Sequence, residues 1–96
     1  MIHAVDCPDL AGTYMCTCNG LIDEIVEETN RAQKEYHDFA SMHEAYGVLA
    51  EEVAELFDCV RLKQNAVLRD RRIREEAIQV AAVALRIAEQ ADRVTR

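Results

Sequence analysis

Glycine and proline are nearly missing. Three glycines (Gly12, Gly20, Gly47) and one proline (Pro8) in 96 residues cannot furnish the turns of a sandwich or barrel, nor a glycine-rich phosphate loop. Such a chain builds long helices. Long apolar runs are missing too: the longest, Val80 to Leu85, falls far short of the roughly 20 residues of a membrane span, and no charged segment leads into an apolar stretch at the start. No membrane association and a cytoplasmic location are therefore expected. A chain of this length has room for one domain and buries only about two-thirds of its unfolded surface when it folds alone. Burial against a partner is anticipated from the outset.

Basic residues are outnumbered, 11 Lys and Arg against 18 Asp and Glu, for a net charge of -7. That balance argues against binding nucleic acid or an anionic membrane. The distribution is uneven. From Asp23 to Asp58 there are eleven acids and two bases, whereas Arg61 to Arg74 holds six bases and one acid. Taken alone these runs read as solvated, salt-bridged surface; a basic stretch beside carboxylates also suits an anionic ligand that arrives with cations.

Four cysteines could form the two disulfides of a secreted mini-protein, but the helical pattern after residue 20 is able to build a core without staples. They read as thiols. His3, Cys7, Cys16 and Cys18 number enough for a zinc site, but the Cys16-Thr17-Cys18 spacing is poor for one, and residues 1–19 read as an irregular arm. The domain proper is expected over residues 20–96.

From Gly20 the pattern turns helical, with Asp23, Glu24, Glu27 and Glu28 near the positive end of the macrodipole. This helix is expected to reach about His37. Ser41 followed by Glu44 is a capping box that opens a second helix. Its apolar residues Met42, Tyr46, Leu49, Val53, Leu56 and Val60 recur at spacings of 4 and 3, the seam of a helix packed lengthwise on another. A second end is expected between Lys63 and Leu68, with Asp70 as a possible cap for the third helix. There Ile73, Ala77, Val80, Ala84, Ile87, Ala91 and Val94 repeat the device, and ten of the twelve residues from Ala77 to Ala88 are apolar. A helix this greasy needs cover on more than one side. The expected architecture is all-α: a helical hairpin that dimerises into a four-helix bundle, preceded by an N-terminal helix that could instead cover the free face within a monomer.

Glu51, Glu52 and Glu55, in the run EEVAEL, gather on one side of the second helix. Spacings of three and four bring their Cβ atoms within about 5 to 6 Å, and like charges so close repel unless cations intervene. An exposed acidic face is the plainer alternative. On the third helix Glu76 and Gln79 flank the apolar seam, and facing helices could bring them opposite Glu52 and Glu55. Arg86, seven residues beyond Gln79, continues that stripe, as a phosphate contact or as a snorkelling, salt-bridged arginine. Cys59 reads as a small packing residue on the Glu52 side, and neither His37 nor His43 is placed for catalysis.

EEVAEL paired with EAIQVAAVALRIAE, about twenty residues apart on two helices, resembles the MazG-like branch of the all-α nucleoside triphosphate pyrophosphohydrolases, a superfamily that includes dimeric dUTPases and phosphoribosyl-ATP pyrophosphohydrolase. The context FASMHEAYGVLAEEVAELFDCVRLK and REEAIQVAAVALRIAE is similar to small MazG-like proteins of actinobacteria and their phages, over roughly residues 39 to 90. The resemblance implies hydrolysis of a nucleotide between its α and β phosphates, releasing a monophosphate and pyrophosphate, by a homodimer or a dimer of dimers. It implies Glu51, Glu52, Glu55 and Glu76 as carboxylates of a Mg2+ (or Mn2+) site, with Glu51 either a ligand or the residue that orients the attacking water. Where the family usually has Asp, this chain has Gln79, a neutral carbonyl donor that weakens cation binding. Arg86 and Lys63 are candidate phosphate contacts. The alternative is a MazG-like protein of reduced turnover that binds nucleotide or serves helical assembly.

Overall fold

A computed structural model describes residues 20–62 and 66–95. Helices α1 (Leu21–Tyr36), α2 (Met42–Arg61) and α3 (Ala66–Thr95) follow one another, with no strand among the described residues. The all-α class is as the sequence implied. The arm at residues 1–19, with its cysteines, and Lys63 lie outside the described residues.

Each boundary has a local cause. Gly20 precedes α1 in the left-handed region (φ 76°), which glycine adopts without strain, and Asp23 and Glu24 occupy the first turn. Ser41 caps α2: its hydroxyl accepts from the Glu44 amide at 3.1 Å, while the Glu44 carboxylate reaches back one residue further than a standard box, to the Ala40 amide at 3.3 Å. Asp70 is not a cap. Helix α3 begins at Ala66 and passes through Asp70, which is exposed and paired with Arg69 at 3.4 Å; Ala66 to Arg69 contain no breaker that would delay the start.

Helices α1 and α2 both pack on α3 and make no close backbone approach to one another. A cleft therefore opens between them, floored by α3. Thr29 and Ala32 are the buried residues of α1, both small, and the Thr29 hydroxyl satisfies itself on the Ile25 carbonyl at 2.6 Å. The compact apolar core lies under the α1–α2 turn: Phe39, Ala45 and Val83, with Val48, Leu49 and Ile87 against them.

The heptad period predicted for α2 and α3 is present, but shifted in phase. On α2 the inward stripe is Ala45, Leu49, Glu52, Leu56 and Cys59, sharing only Leu49 and Leu56 with the seam expected from apolarity. Met42, Tyr46, Val53 and Val60 of that seam are exposed. On α3 the sheltered positions include Glu76, Gln79, Val83, Arg86 and Gln90 together with Ile73, Val80 and Ile87 of the expected seam, whereas Ala77, Ala84, Ala91 and Val94 face solvent. The chain turns a partly polar stripe inward. Arg86 and Gln90 meet partners there, which offsets their desolvation, whereas Glu76 keeps a buried oxygen without one, and the greasier seams are covered only in part by this chain.

Candidate metal centre

Glu52 and Glu55 of α2 meet Glu76 of α3, each offering a carboxylate oxygen within 4.8 Å of the other two. One helical turn separates the α2 pair, and the α2–α3 packing delivers the third. Glu52 and Glu76 are half-buried, Glu55 is exposed. Burial, and then the neighbouring carboxylates, push Glu52 above the usual carboxylate range. Glu76 is raised by burial and by Glu55, with Arg72 opposing. No salt bridge among the described residues engages any of the three. One oxygen of Glu76, Oε2, is fully buried without a hydrogen-bond partner.

Like charges brought together, with an orphaned buried oxygen, form an arrangement that costs stability unless a cation is shared. The donors are hard oxygens, the set suited to Mg2+, Mn2+ or Ca2+. The residues present therefore fit a divalent cation.

The other residues expected at the site are dispersed around it. Glu51 is exposed and lies outside the triad, though close enough for its charge to act on Glu52. Gln79 donates its side-chain amide to Glu28 of α1, which with Arg31 holds the Glu28 carboxyl below its ordinary range. Among the described residues of the basic stretch, Arg72 lines a small cleft of about 210 Å3 with Glu55, Asp58 and Glu76. Arg61 pairs with Asp58 and lies over Phe57, and Arg74 pairs with Glu24 of α1.

Arg86 is buried, 4% exposed, and is not salt-bridged. Its Nε donates to Gln33 Oε1 at 3.1 Å, its Nη2 to the His37 carbonyl at 2.8 Å, and its guanidinium lies 4.4 Å from the Phe39 ring centroid. His37, with φ 60° at the end of α1, holds that carbonyl in place. The turn is fastened further along the same face of α3. Gln90 exchanges two hydrogen bonds with the Phe39 backbone, at 2.9 and 3.0 Å, and Arg93 grips Asp38 with two at 2.9 and 3.0 Å. Glu28, Gln33, Phe39 and Gln90 were not singled out for the site from sequence. The available signal was the polar spacing 86, 90, 93 on an otherwise greasy helix.

A cleft of about 450 Å3 runs from Glu52 and Gln79 at one end to Arg86 and the α1–α2 turn at the other. That size suits a small ligand. Comparison with family models, curated proteins and solved structures finds no match to this chain.

Proposed function

We propose that this protein is a Mg2+-dependent nucleotide pyrophosphohydrolase of MazG-like type, cleaving a nucleoside triphosphate to a monophosphate and pyrophosphate. The observation that carries the reading is the convergence of Glu52 and Glu55 with Glu76, without salt-bridge partners, where Glu52 lines one end of a nucleotide-sized cleft and Glu55 and Glu76 line a smaller one. A divalent cation held by these carboxylates would neutralise phosphate oxygens and acidify a water molecule. The chain's own residues do the rest. Glu52 and Glu76, raised above the usual range, favour either a bound cation or a proton, and Glu51 beside them is the candidate for orienting the attacking water. Water attacks phosphorus, the α–β anhydride bond breaks, and the electron pair leaves on pyrophosphate. Arg72, next to Glu55 and Glu76, is the base placed to receive charge on the departing group.

The active form is read as a homodimer. Tyr46 is 70% exposed and Phe57 58%, in line with Val53 and Val60 along α2. A stripe of that length and apolarity calls for a second copy.

The test is pyrophosphate release from a panel of nucleoside triphosphates with Mg2+ or Mn2+. Release that disappears in Glu55→Ala supports the site; release that is unchanged in that variant sinks it. A second reading, nucleotide binding with reduced turnover, draws on Gln79, whose neutral amide is already engaged by Glu28. Thermal stabilisation by nucleotide without pyrophosphate release would favour it.

A further inference from the structure

Arg86 has more binding capacity than the fold uses. Two of its three nitrogens are occupied by neutral acceptors, Gln33 Oε1 and the His37 carbonyl. Of the acids that line the same cleft, Asp38 is taken by two bonds from Arg93 and one from Gln33, Glu44 accepts from the Ala40 amide, and Glu52 belongs to the carboxylate cluster. Nη1 has no hydrogen-bond partner among the described residues, and it is not among the buried polar atoms lacking one, so it keeps exposed surface on a side chain that lines the cleft. A guanidinium cannot lose its proton, and it presents donors only. Its place in the cleft separates it from the carboxylates: Gln79 and Arg86 are seven residues apart on α3, about 10 Å along the axis. That is the reach of a nucleoside, not of a phosphate oxygen on a shared cation. Ala32, Val48 and Val83 give this end of the cleft apolar walls, with Phe39 stacked on the guanidinium. Such walls suit a planar ring.

We propose that Arg86 reads the nucleobase and not the phosphates, donating from Nη1 to a ring carbonyl, so that the cleft prefers keto bases (hypoxanthine, guanine, uracil, thymine) to their amino counterparts. The proposal rests on the nucleotide reading of the site. An amino group at the same ring position brings a donor against a donor, leaves the guanidinium unpaired, and is rejected by the desolvation it imposes. Phe39 and the carbonyl at His37 fix the guanidinium plane. The strained backbone at His37 thereby serves recognition as well as the turn.

The experiment is calorimetric titration of the full chain, with Mg2+, using the α,β-methylene analogues of inosine and adenosine triphosphate. These differ at one ring position. Tighter binding of the inosine analogue, by about tenfold to a hundredfold for a hydrogen bond from a charged donor, is the expected result. Arg86→Lys should keep part of that ratio and Arg86→Gln, which can donate or accept, should bring it close to one. A residue that merely pins the turn would weaken both ligands alike. Should either variant fail to fold, the wild-type ratio decides. Equal binding of the two analogues overturns the base assignment and leaves the pyrophosphohydrolase reading standing, whereas binding of neither removes both.

Discussion

Replacing Glu76 with glutamine should make the cation-free protein more stable, an unusual outcome for a change at a half-buried position. Glu76 lies within 4.8 Å of both Glu52 and Glu55. Two unit charges at that separation repel by about 0.9 kcal/mol in water and by about 3.5 kcal/mol at an effective dielectric of 20. Taking the watery limit and allowing for a Debye length of about 8 Å, the two repulsions removed together amount to about 1 kcal/mol. The glutamine amide can also donate to Glu55, which no carboxylate can. For a domain of this size the melting temperature should rise by about 4–8 °C in EDTA. Because the folded-state pKa of Glu76 is raised, the folded protein holds protons that the unfolded chain has lost. Wild-type stability therefore declines as pH climbs from the unfolded value of 4.5 through the raised folded one, and the variant should show a shallower decline. Saturating Mg2+ should invert the order: at a hundred times its dissociation constant a cation adds about 2.7 kcal/mol to the wild type, and less to a variant short of one charged ligand. Paired thermal melts in EDTA and in Mg2+ measure both halves. A variant that melts no higher than wild type in EDTA, or that gains as much from Mg2+, would refute the frustrated-cluster account.

Asp38→Asn tests the opposite electrostatic sign. Bonds from Arg93, and then from Gln33, hold the Asp38 carboxyl below its ordinary 3.8. The stability it contributes is present above that value and is lost as pH falls through the lower folded one. Melting curves from neutral pH downward should show a wild-type advantage that is level to about pH 5 and closes below 3.8; a gap undiminished in strong acid would assign it to packing. Val53→Glu tests the exposed seam. Val53 is 46% exposed in the single chain, so the change should cost the isolated fold under about 0.5 kcal/mol yet turn a dimer into a monomer on a sizing column at micromolar concentration. A protein that runs as a monomer before the change contradicts the bundle.

The helices were legible because their signals are local. A capping box and two heptad repeats act within a few residues, and α2 and α3 lie where those signals fall, apart from the cap expected at Asp70. The phase of the repeats was not legible, for a physical reason. Apolarity ranks Val53 above Glu52 for burial, yet Glu52 is the more buried, because the inward position is decided by what α3 presents opposite it. A carboxylate is sheltered at a cost, which Glu55 and Glu76 increase by repulsion, and on the proposed reading a shared cation would offset it. The same holds for Arg86, Gln90 and Arg93. Each bonds the turn at residues 37–39, some fifty positions earlier in the chain, so composition near residue 86 carries no trace of the partner. Non-local polar pairing is thus the common cause of both misread stripes. It also explains why one chain has greasy helix faces on its outside. Leu49 and Leu56 of the α2 seam and Val80 and Ile87 of the α3 seam are sheltered within the chain, while Met42, Tyr46, Val53 and Val60, and Ala77, Ala84, Ala91 and Val94, are left exposed. On the proposed reading, cation site and dimer follow from one choice of phase: a mutation that rotated the apolar seam inward is expected to expose Glu52 and Glu76 and to weaken cation binding and self-association together, and loss of one without the other would refute the link.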